Sequence, residues 1–243
     1  MTMKGYPVER IIVALDYPDA EGAERLLRRL EGIPCYMKVG MELFYAAGPQ
    51  FVLRLKEAGY KVFLDLKMHD IPNTVKGGSA SVTRLGVDMF NVHAAGGRAM
   101  MEAAREGVEL ALSGRPGADK PMLIGVTHLT STSRQTLNDE IGIAGPVEDA
   151  VVRYAELAKA AGLDGVVASP LEVTRIKERC GDAFATVTPG IRPAGAALGD
   201  QSRVMTPREA FAQGTDYIVV GRPVTGAADP REALESIVAS ITE

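Results

Sequence analysis

Short apolar runs alternate along this chain with longer segments in which apolar residues recur at helical spacing. The eight runs lie at residues 10–16, 35–40, 61–67, 88–94, 122–130, 164–169, 184–189 and 216–222. Short runs rich in β-branched residues predict strands, and near-continuous apolar strands are typical of a parallel sheet covered by helices. The regular alternation therefore predicts a series of βαβ units.

The segments between the runs carry helix signals. Residues 19–32 place their apolar side chains on one face, Thr206 and Glu209 predict a capping box, and Asp229 predicts a further helix start. Eight such units match the usual size of a (β/α)8 TIM barrel, which is about 250 residues. A doubly wound open sheet is the alternative. No linker or composition shift divides the chain, so we predict one catalytic domain over residues 1–243.

Charge and composition narrow the range of partners. The net charge is −4, no block of Lys or Arg occurs, and aromatic residues make up 5% of the chain, which together argue against a nucleic-acid partner. No apolar run approaches about 18 residues, so we expect no membrane span. The first residues lack the apolar core of a signal peptide, which favours a cytoplasmic location. Cys35 and Cys180 are expected to be buried thiols.

Nearly every apolar run ends in a polar residue at its C-terminal side. These residues are Asp16, Lys38, Asp65, Lys67, His93, Thr127, Thr130, Ser169, Thr188 and Arg222. In a barrel these ends converge on the mouth that carries catalytic groups. Alternatively, strands could simply become polar where they leave the core. That would account for Ser or Thr at these ends but not for lysine, because an unpaired buried ammonium group is costly. Lys38 and Lys67 therefore need acidic partners, and Asp65 and Asp70 are the nearest available.

Asp65 and Lys67 share one face of a strand, because side chains two residues apart point the same way. Lys38 is expected beside them on the neighbouring strand, whereas strand period does not place Asp70. Alternating acids and bases suit a reaction through a carbanion, since an ammonium group can stabilise negative charge and then deliver a proton. The alternative is a salt-bridge network that only joins strand to loop.

A second group of residues lies near the C-terminus. The Gly- and Pro-rich segment 188–203 carries Arg192 and Gln201, and Gly221 with Arg222 follows at the end of the eighth run. Barrels commonly bind phosphate after strands seven and eight, through backbone N–H groups and nearby cations. These residues therefore predict a phosphate site, with a simple turn as the alternative. The three histidines have no metal-ligand spacing, so we predict no metal site.

Several segments, in order along nearly the whole chain, resemble the orotidine 5′-phosphate decarboxylases of bacterial type. They are VALD (13–16), MKVG (37–40), LDLKMHDIPNT (64–74), VTHLTS (126–131), TPGIRPAGAALGDQSR (188–203) and YIVVGRPVT (217–225). The Asp-x-Lys-x-x-Asp core is shared with related sugar-phosphate barrels, but DIPNT and the PGIRP…GDQ segment are more specific. The resemblance implies conversion of orotidine 5′-monophosphate to uridine 5′-monophosphate, the final step of UMP biosynthesis, without metal or organic cofactor.

The resemblance also implies a role for each matching residue. Lys67 would donate the proton to C6 of the pyrimidine, Asp65 would lie against the departing carboxylate, and Lys38 and Asp70 would complete the array. Ribose contacts are implied for Asp16 and Lys38, a pyrimidine contact for Thr130, and phosphate contacts for Arg192, Gln201, Gly221 and Arg222. Asp70 and Thr74 would reach into the site of a second subunit, which implies a homodimer with shared active sites.

Two alternatives remain at this level. A magnesium-dependent sugar-phosphate decarboxylase or aldolase of the same barrel group would share Asp65, Lys67 and Asp70. It should carry further acidic metal ligands, for which Glu42 is a candidate. A barrel that binds a nucleotide without catalysis would tolerate loss of Lys67 or Asp70, and both are present.

Overall fold

Eight parallel strands form a closed barrel in this computed structural model, which describes residues 7–193 and 204–242. The strands are β1 (Ile11–Ala14), β2 (Tyr36–Gly40), β3 (Lys61–Met68), β4 (Met89–His93), β5 (Met122–Val126), β6 (Gly165–Val167), β7 (Ala185–Thr188) and β8 (Tyr217–Val220). Each strand pairs with its neighbours in chain order, and β8 pairs with β1. The predicted (β/α)8 barrel is confirmed, and the pairing of β1 with β8 excludes the open sheet.

Helices follow the strands on the outside of the barrel. Within the described ranges they are α1 (Ala20–Arg29), α2 (Met41–Glu57), α3 (Pro72–Arg84), α4 (Gly97–Leu112), α5 (Val147–Ala160), α6 (Val173–Cys180), α7 (Pro207–Ala212), α8 (Arg222–Thr225) and α9 (Pro230–Thr242). Thr206 and Glu209 form the predicted capping box, and Asp229 accepts N–H groups at the start of α9. In the described part of the chain, no helix is long and apolar enough to cross a membrane.

Two apolar layers separate the inside of the barrel from the outside. The larger core lies between the strands and the helices and includes both cysteines, which are buried as predicted. The inner core contains inward-facing side chains of seven strands, namely Ile12, Ala14, Tyr36, Phe63, Met89, Ile124, Val187 and Val219. Because inward positions recur every second residue, the next ones along β2, β3 and β4 are Lys38, Asp65 and Asn91. A polar layer thus lies directly above the apolar one.

The N-terminal end of the barrel is held by one device that occurs three times. An aspartate lies just before each of β4, β6 and β8 and accepts a backbone N–H from the odd-numbered strand that precedes it in the chain. The same aspartate forms an ion pair with a basic side chain of the helix that leads into that odd-numbered strand. The three sets are Asp88 with Val62 and Lys56, Asp164 with Leu123 and Arg105, and Asp216 with Thr186 and Lys177. These contacts stabilise the end opposite the one where barrel enzymes place their chemistry.

Candidate active site

A cavity of about 670 Å³ opens at the C-terminal end of the barrel. It brings together eight of the predicted site residues, which are Asp16, Lys38, Asp65, Lys67, Thr130, Arg192, Gly221 and Arg222. A second cavity of about 650 Å³ lies between α1 and α2, around Arg28 and Tyr60, and contains none of them. The two cavities are nearly equal in volume, so volume does not show which one is the active site. The converging charged groups select the first.

Four of these side chains form a line of alternating charge. The Nζ of Lys38 lies 3.1 Å from Oδ1 of Asp16 and 3.3 Å from Oδ2 of Asp65. The Nζ of Lys67 donates to Oδ1 of Asp65 over 2.7 Å. Lys38 and Asp65 are buried, whereas the side chain of Asp16 is 62% exposed. The two buried charges therefore compensate each other, as buried charges must if they are to persist.

Electrostatics keep the buried pair ionised. Burial lowers the pKa of Lys38, but attraction to Asp65 and Asp16 outweighs it, and the net pKa lies above the ordinary value of a lysine. Burial raises the pKa of Asp65, but the ammonium groups of Lys38 and Lys67 outweigh it and leave the net pKa below the ordinary value. The array thus presents a fixed carboxylate and a neighbouring ammonium group to the cavity.

The backbone at Lys67 departs from a regular strand. Its φ is 51°, in the left-handed region that residues other than glycine rarely adopt. The pairing of β3 with β4 shifts register at the same place, between Leu64 and Met68. Strand period correctly predicted that Lys67 would meet Asp65, but the regular pleat that it assumed is absent. A bulge directs the lysine into the cavity.

Asp70 and Thr74 lie away from this array. Both are exposed, Thr74 in the first turn of α3, and neither lines the cavity. The carboxylate of Asp70 accepts the backbone N–H of Ile71 over 2.6 Å, and the described residues place no cation at ion-pair distance from it. Within one chain, Asp16 rather than Asp70 is therefore the second acidic partner of the lysines. The catalytic role of Asp70 stays a prediction.

The predicted phosphate residues Arg192, Gly221 and Arg222 line the same cavity, after β7 and β8. Arg192 is buried and donates from one guanidinium nitrogen to the carbonyl oxygen of Ile191, while Arg222 is exposed at the start of α8. A Cβ on Gly221 would meet only Ala14, at 3.8 Å, so the bare backbone there faces open cavity. An anion in the cavity could therefore closely approach the backbone N–H groups at Gly221 and Arg222. Gln201 lies outside the described residues.

Comparisons with known proteins identify the family. A sequence model of the orotidine 5′-phosphate decarboxylase / HUMPS family matches residues 9–237. The chain belongs to this family. It is 54% identical over 96% of its length to the orotidine 5′-phosphate decarboxylase of Moorella thermoacetica, of which it covers 92%. It is 55% identical over 91% of its length to the orotidine 5′-phosphate decarboxylase of Geobacillus thermodenitrificans, of which it covers 92%.

A solved structure from the family shows the same fold. The orotidine 5′-phosphate decarboxylase of Lactobacillus acidophilus superposes with a TM-score of 0.86 at 43% identity. The match covers 97% of this chain and 100% of that one. The resemblance stated from the sequence motifs is thus confirmed at the level of family and fold.

Sequence reasoning did not predict Asn91, which supports the charged array, or His128 and Ser131, which line the cavity. Asn91 is 1% exposed, and its amide nitrogen donates to Oδ1 of Asp65 over 2.7 Å. Its amide oxygen accepts the backbone N–H of Lys67 over 2.8 Å. A polar residue at an inward position of an otherwise apolar strand was the available signal, two residues after Met89.

Proposed function

We propose that this chain converts orotidine 5′-monophosphate to uridine 5′-monophosphate and CO2, as the last step of UMP biosynthesis. The observation that carries the proposal is the array of buried Lys38 and Asp65 with half-buried Lys67, at the cavity that also holds Arg192 and Gly221. Relatives named for this activity are more than 50% identical over nearly the whole chain. The expected cytoplasmic location belongs to the same proposal.

In the proposed reaction, Asp65 lies against the carboxylate that leaves C6. Lys67, 2.7 Å from Asp65, stabilises the negative charge that develops at C6 and then transfers its proton there. Because Lys38 and Asp65 are buried and their charged groups lie 3.3 Å apart, their positions are set before the substrate arrives. Lys38 and Asp16 are proposed to hold the ribose hydroxyls, and Thr130 to contact the pyrimidine.

The phosphate does not react, but its binding energy supports catalysis at the other end of the substrate. Arg192, Gly221 and Arg222 are proposed to bind it, together with Gln201. Arg192 and Met205 flank the segment that contains Gln201, and their backbones are joined by a 3.0 Å hydrogen bond. Arg192, on the N-terminal side of that segment, itself lines the cavity at the proposed phosphate site.

We also propose a homodimer in which Asp70 and Thr74 complete the site of the partner subunit. Both residues are exposed, Asp70 just before α3 and Thr74 in its first turn, and Ile71 between them has 67% of its surface exposed. The exposed Ile71 side chain supplies apolar surface that a second subunit would bury beside Asp70 and Thr74. Because the carboxylate of Asp70 has no ion-pair partner among the described residues of its own chain, it is proposed to serve the partner's site.

The activity is tested by following the ultraviolet absorbance of orotidine 5′-monophosphate with excess EDTA present. We expect full turnover in EDTA and a loss of at least about 10²-fold in kcat for Lys67→Ala, because a general acid contributes roughly 10²–10⁴-fold. Lys120→Ala is the control, since Lys120 is paired with Glu109 on the surface.

Two results would redirect the proposal. If EDTA lowers the rate and added magnesium restores it, the metal-dependent sugar-phosphate enzyme is favoured. The structure offers that enzyme little support, because its candidate ligand Glu42 is exposed in the first turn of α2 and does not line the cavity. The described residues also contain no group of three or more metal-binding side chains. Tight binding of uridine 5′-monophosphate without any turnover would favour a barrel that binds a nucleotide without catalysis.

A further inference from the structure

Asn91 lies opposite the irregular part of β3. Leu64 pairs with Phe90 and Met68 pairs with Val92, so four steps along β3 are matched by only two steps along β4. The extra residues of β3 are those that carry the charged groups. A bulge of this kind leaves backbone groups without partners in the strand ladder.

The side chain of Asn91 replaces the missing ladder contact. Its Oδ1 accepts the N–H of Lys67 over 2.8 Å, and its Nδ2 donates to the carboxylate of Asp65 over 2.7 Å. Because the oxygen and the nitrogen each have a distinct partner, the amide can adopt only one orientation. One rigid planar group thus ties the backbone of Lys67 to the carboxylate of Asp65.

The same contacts fix the carboxylate plane of Asp65. Its Oδ1 accepts from Lys67 and Asn91, while Oδ2 faces Lys38 at 3.3 Å. Without the Asn91 amide, the Asp65 carboxylate would lose its uncharged hydrogen-bond donor. Only the two flexible lysine side chains would then hold it in place. Loss of the amide would also leave the N–H of Lys67 without its acceptor in a backbone conformation that a lysine adopts only at a cost.

We propose that Asn91 is a positioning residue, which holds the β3 bulge so that the Lys67 ammonium group and the Asp65 carboxylate keep a fixed mutual geometry in the cavity. It touches no reacting atom and acts through these two residues. The consequence for turnover rests on the proposed function above, whereas the consequence for the backbone of Lys67 does not.

The test uses the full-length variants Asn91→Ala and Asn91→Leu. The second retains side-chain volume and therefore keeps the test valid if the alanine variant folds poorly. Amide hydrogen exchange of Lys67, measured by NMR, reports the positioning contact directly. We expect it to accelerate at least about tenfold in both variants. The N–H of Val62, in the same strand but bonded to Asp88, is the internal control and should keep its rate.

Kinetics report the consequence for catalysis. We expect kcat to fall by about 10²-fold with KM changed less than about threefold, since small misplacements of reacting groups lower kcat by that order. Thr186→Val is the matched control, because Thr186 is buried and hydrogen-bonded at the other end of the barrel. It should lower stability and leave kcat unchanged.

Each outcome decides one part. Unchanged exchange at Lys67 in both variants would overturn the positioning role whatever the kinetics show. Faster exchange with unchanged kcat would overturn its importance for turnover. If the unaltered protein does not turn over orotidine 5′-monophosphate at all, the proposed function fails, and the exchange data still decide whether Asn91 holds the bulge.

Discussion

The backbone of Lys67 offers a prediction about stability that side-chain chemistry alone would not suggest. Among the described residues, Lys67 is the only one other than glycine with a positive φ, at 51°. We compare Lys67→Gly with Lys67→Ala. Both variants lose the ammonium contact to Asp65, so the difference between them isolates the backbone at position 67.

The magnitude follows from two opposing effects. A residue with a Cβ in the left-handed region costs roughly 1–2 kcal/mol. Glycine avoids this cost but loses about 0.5–1 kcal/mol more conformational entropy on folding than alanine does. Subtracting the two ranges gives about 0–1.5 kcal/mol, so from the midpoints we expect Lys67→Gly to be more stable than Lys67→Ala by about 0.7 kcal/mol. For a chain of 243 residues, a stability change of 1 kcal/mol shifts Tm by about 2–4 °C.

The matched control is the same pair of substitutions at Lys76. This lysine lies inside α3 and pairs with Glu106, a contact that both variants lose. In a helix interior alanine is favoured over glycine by about 1 kcal/mol. The order of stability should therefore invert between the two positions, which thermal unfolding at one protein concentration and urea titration can both detect.

A specific result would refute this reasoning. If Lys67→Ala equals or exceeds Lys67→Gly in stability while the Lys76 pair behaves as expected, then the positive φ imposes no cost on the folded protein. The bulge would then be a relaxed feature of β3, and the view of Asn91 as the group that maintains it would lose its energetic basis.

Two further predictions concern the shared site and the charged pair. Mixing inactive Asp70→Ala with inactive Lys67→Ala protein should restore about a quarter of normal activity, because random exchange in a two-fold dimer gives half mixed dimers with one intact site each. The stabilising effect of the Lys38–Asp65 pair should be constant between about pH 6 and 9, because the pKa of Asp65 is lowered and that of Lys38 raised. It should be lost as acid passes below the lowered pKa of Asp65, or as alkali passes above the raised pKa of Lys38.

The controls for these two differ. For the mixing experiment, mass spectrometry must first show that labelled subunits exchange. If they exchange and no activity returns, Asp70 does not serve the partner's site. For the pair, the difference in unfolding free energy between the unaltered protein and Lys38→Met is measured across the pH range. A change of more than about 1 kcal/mol between pH 6 and 9 would mean that one partner titrates there.

The sequence by itself determined the fold class and most of the cavity. The eight apolar runs predicted the eight strands because burial on both faces demands near-continuous apolar residues, a local property of each strand. The lysines at 38 and 67 pointed to the site because a buried ammonium group needs a partner. Run ends were less well predicted: residues 127–130 continue the fifth run in sequence, but β5 ends at Val126.

Only the tertiary structure decided how the charged groups are held. Asp16 pairs with Lys38 across 22 residues of sequence, and Asn91 bonds Asp65 across 26. The bulge at Lys67 arises from the pairing of two strands, and no pattern within β3 alone encodes the register of β4 against it. Local periodicity thus placed the ionisable residues on the right strands, but their mutual geometry depends on inter-strand register, which exists only once the barrel has closed.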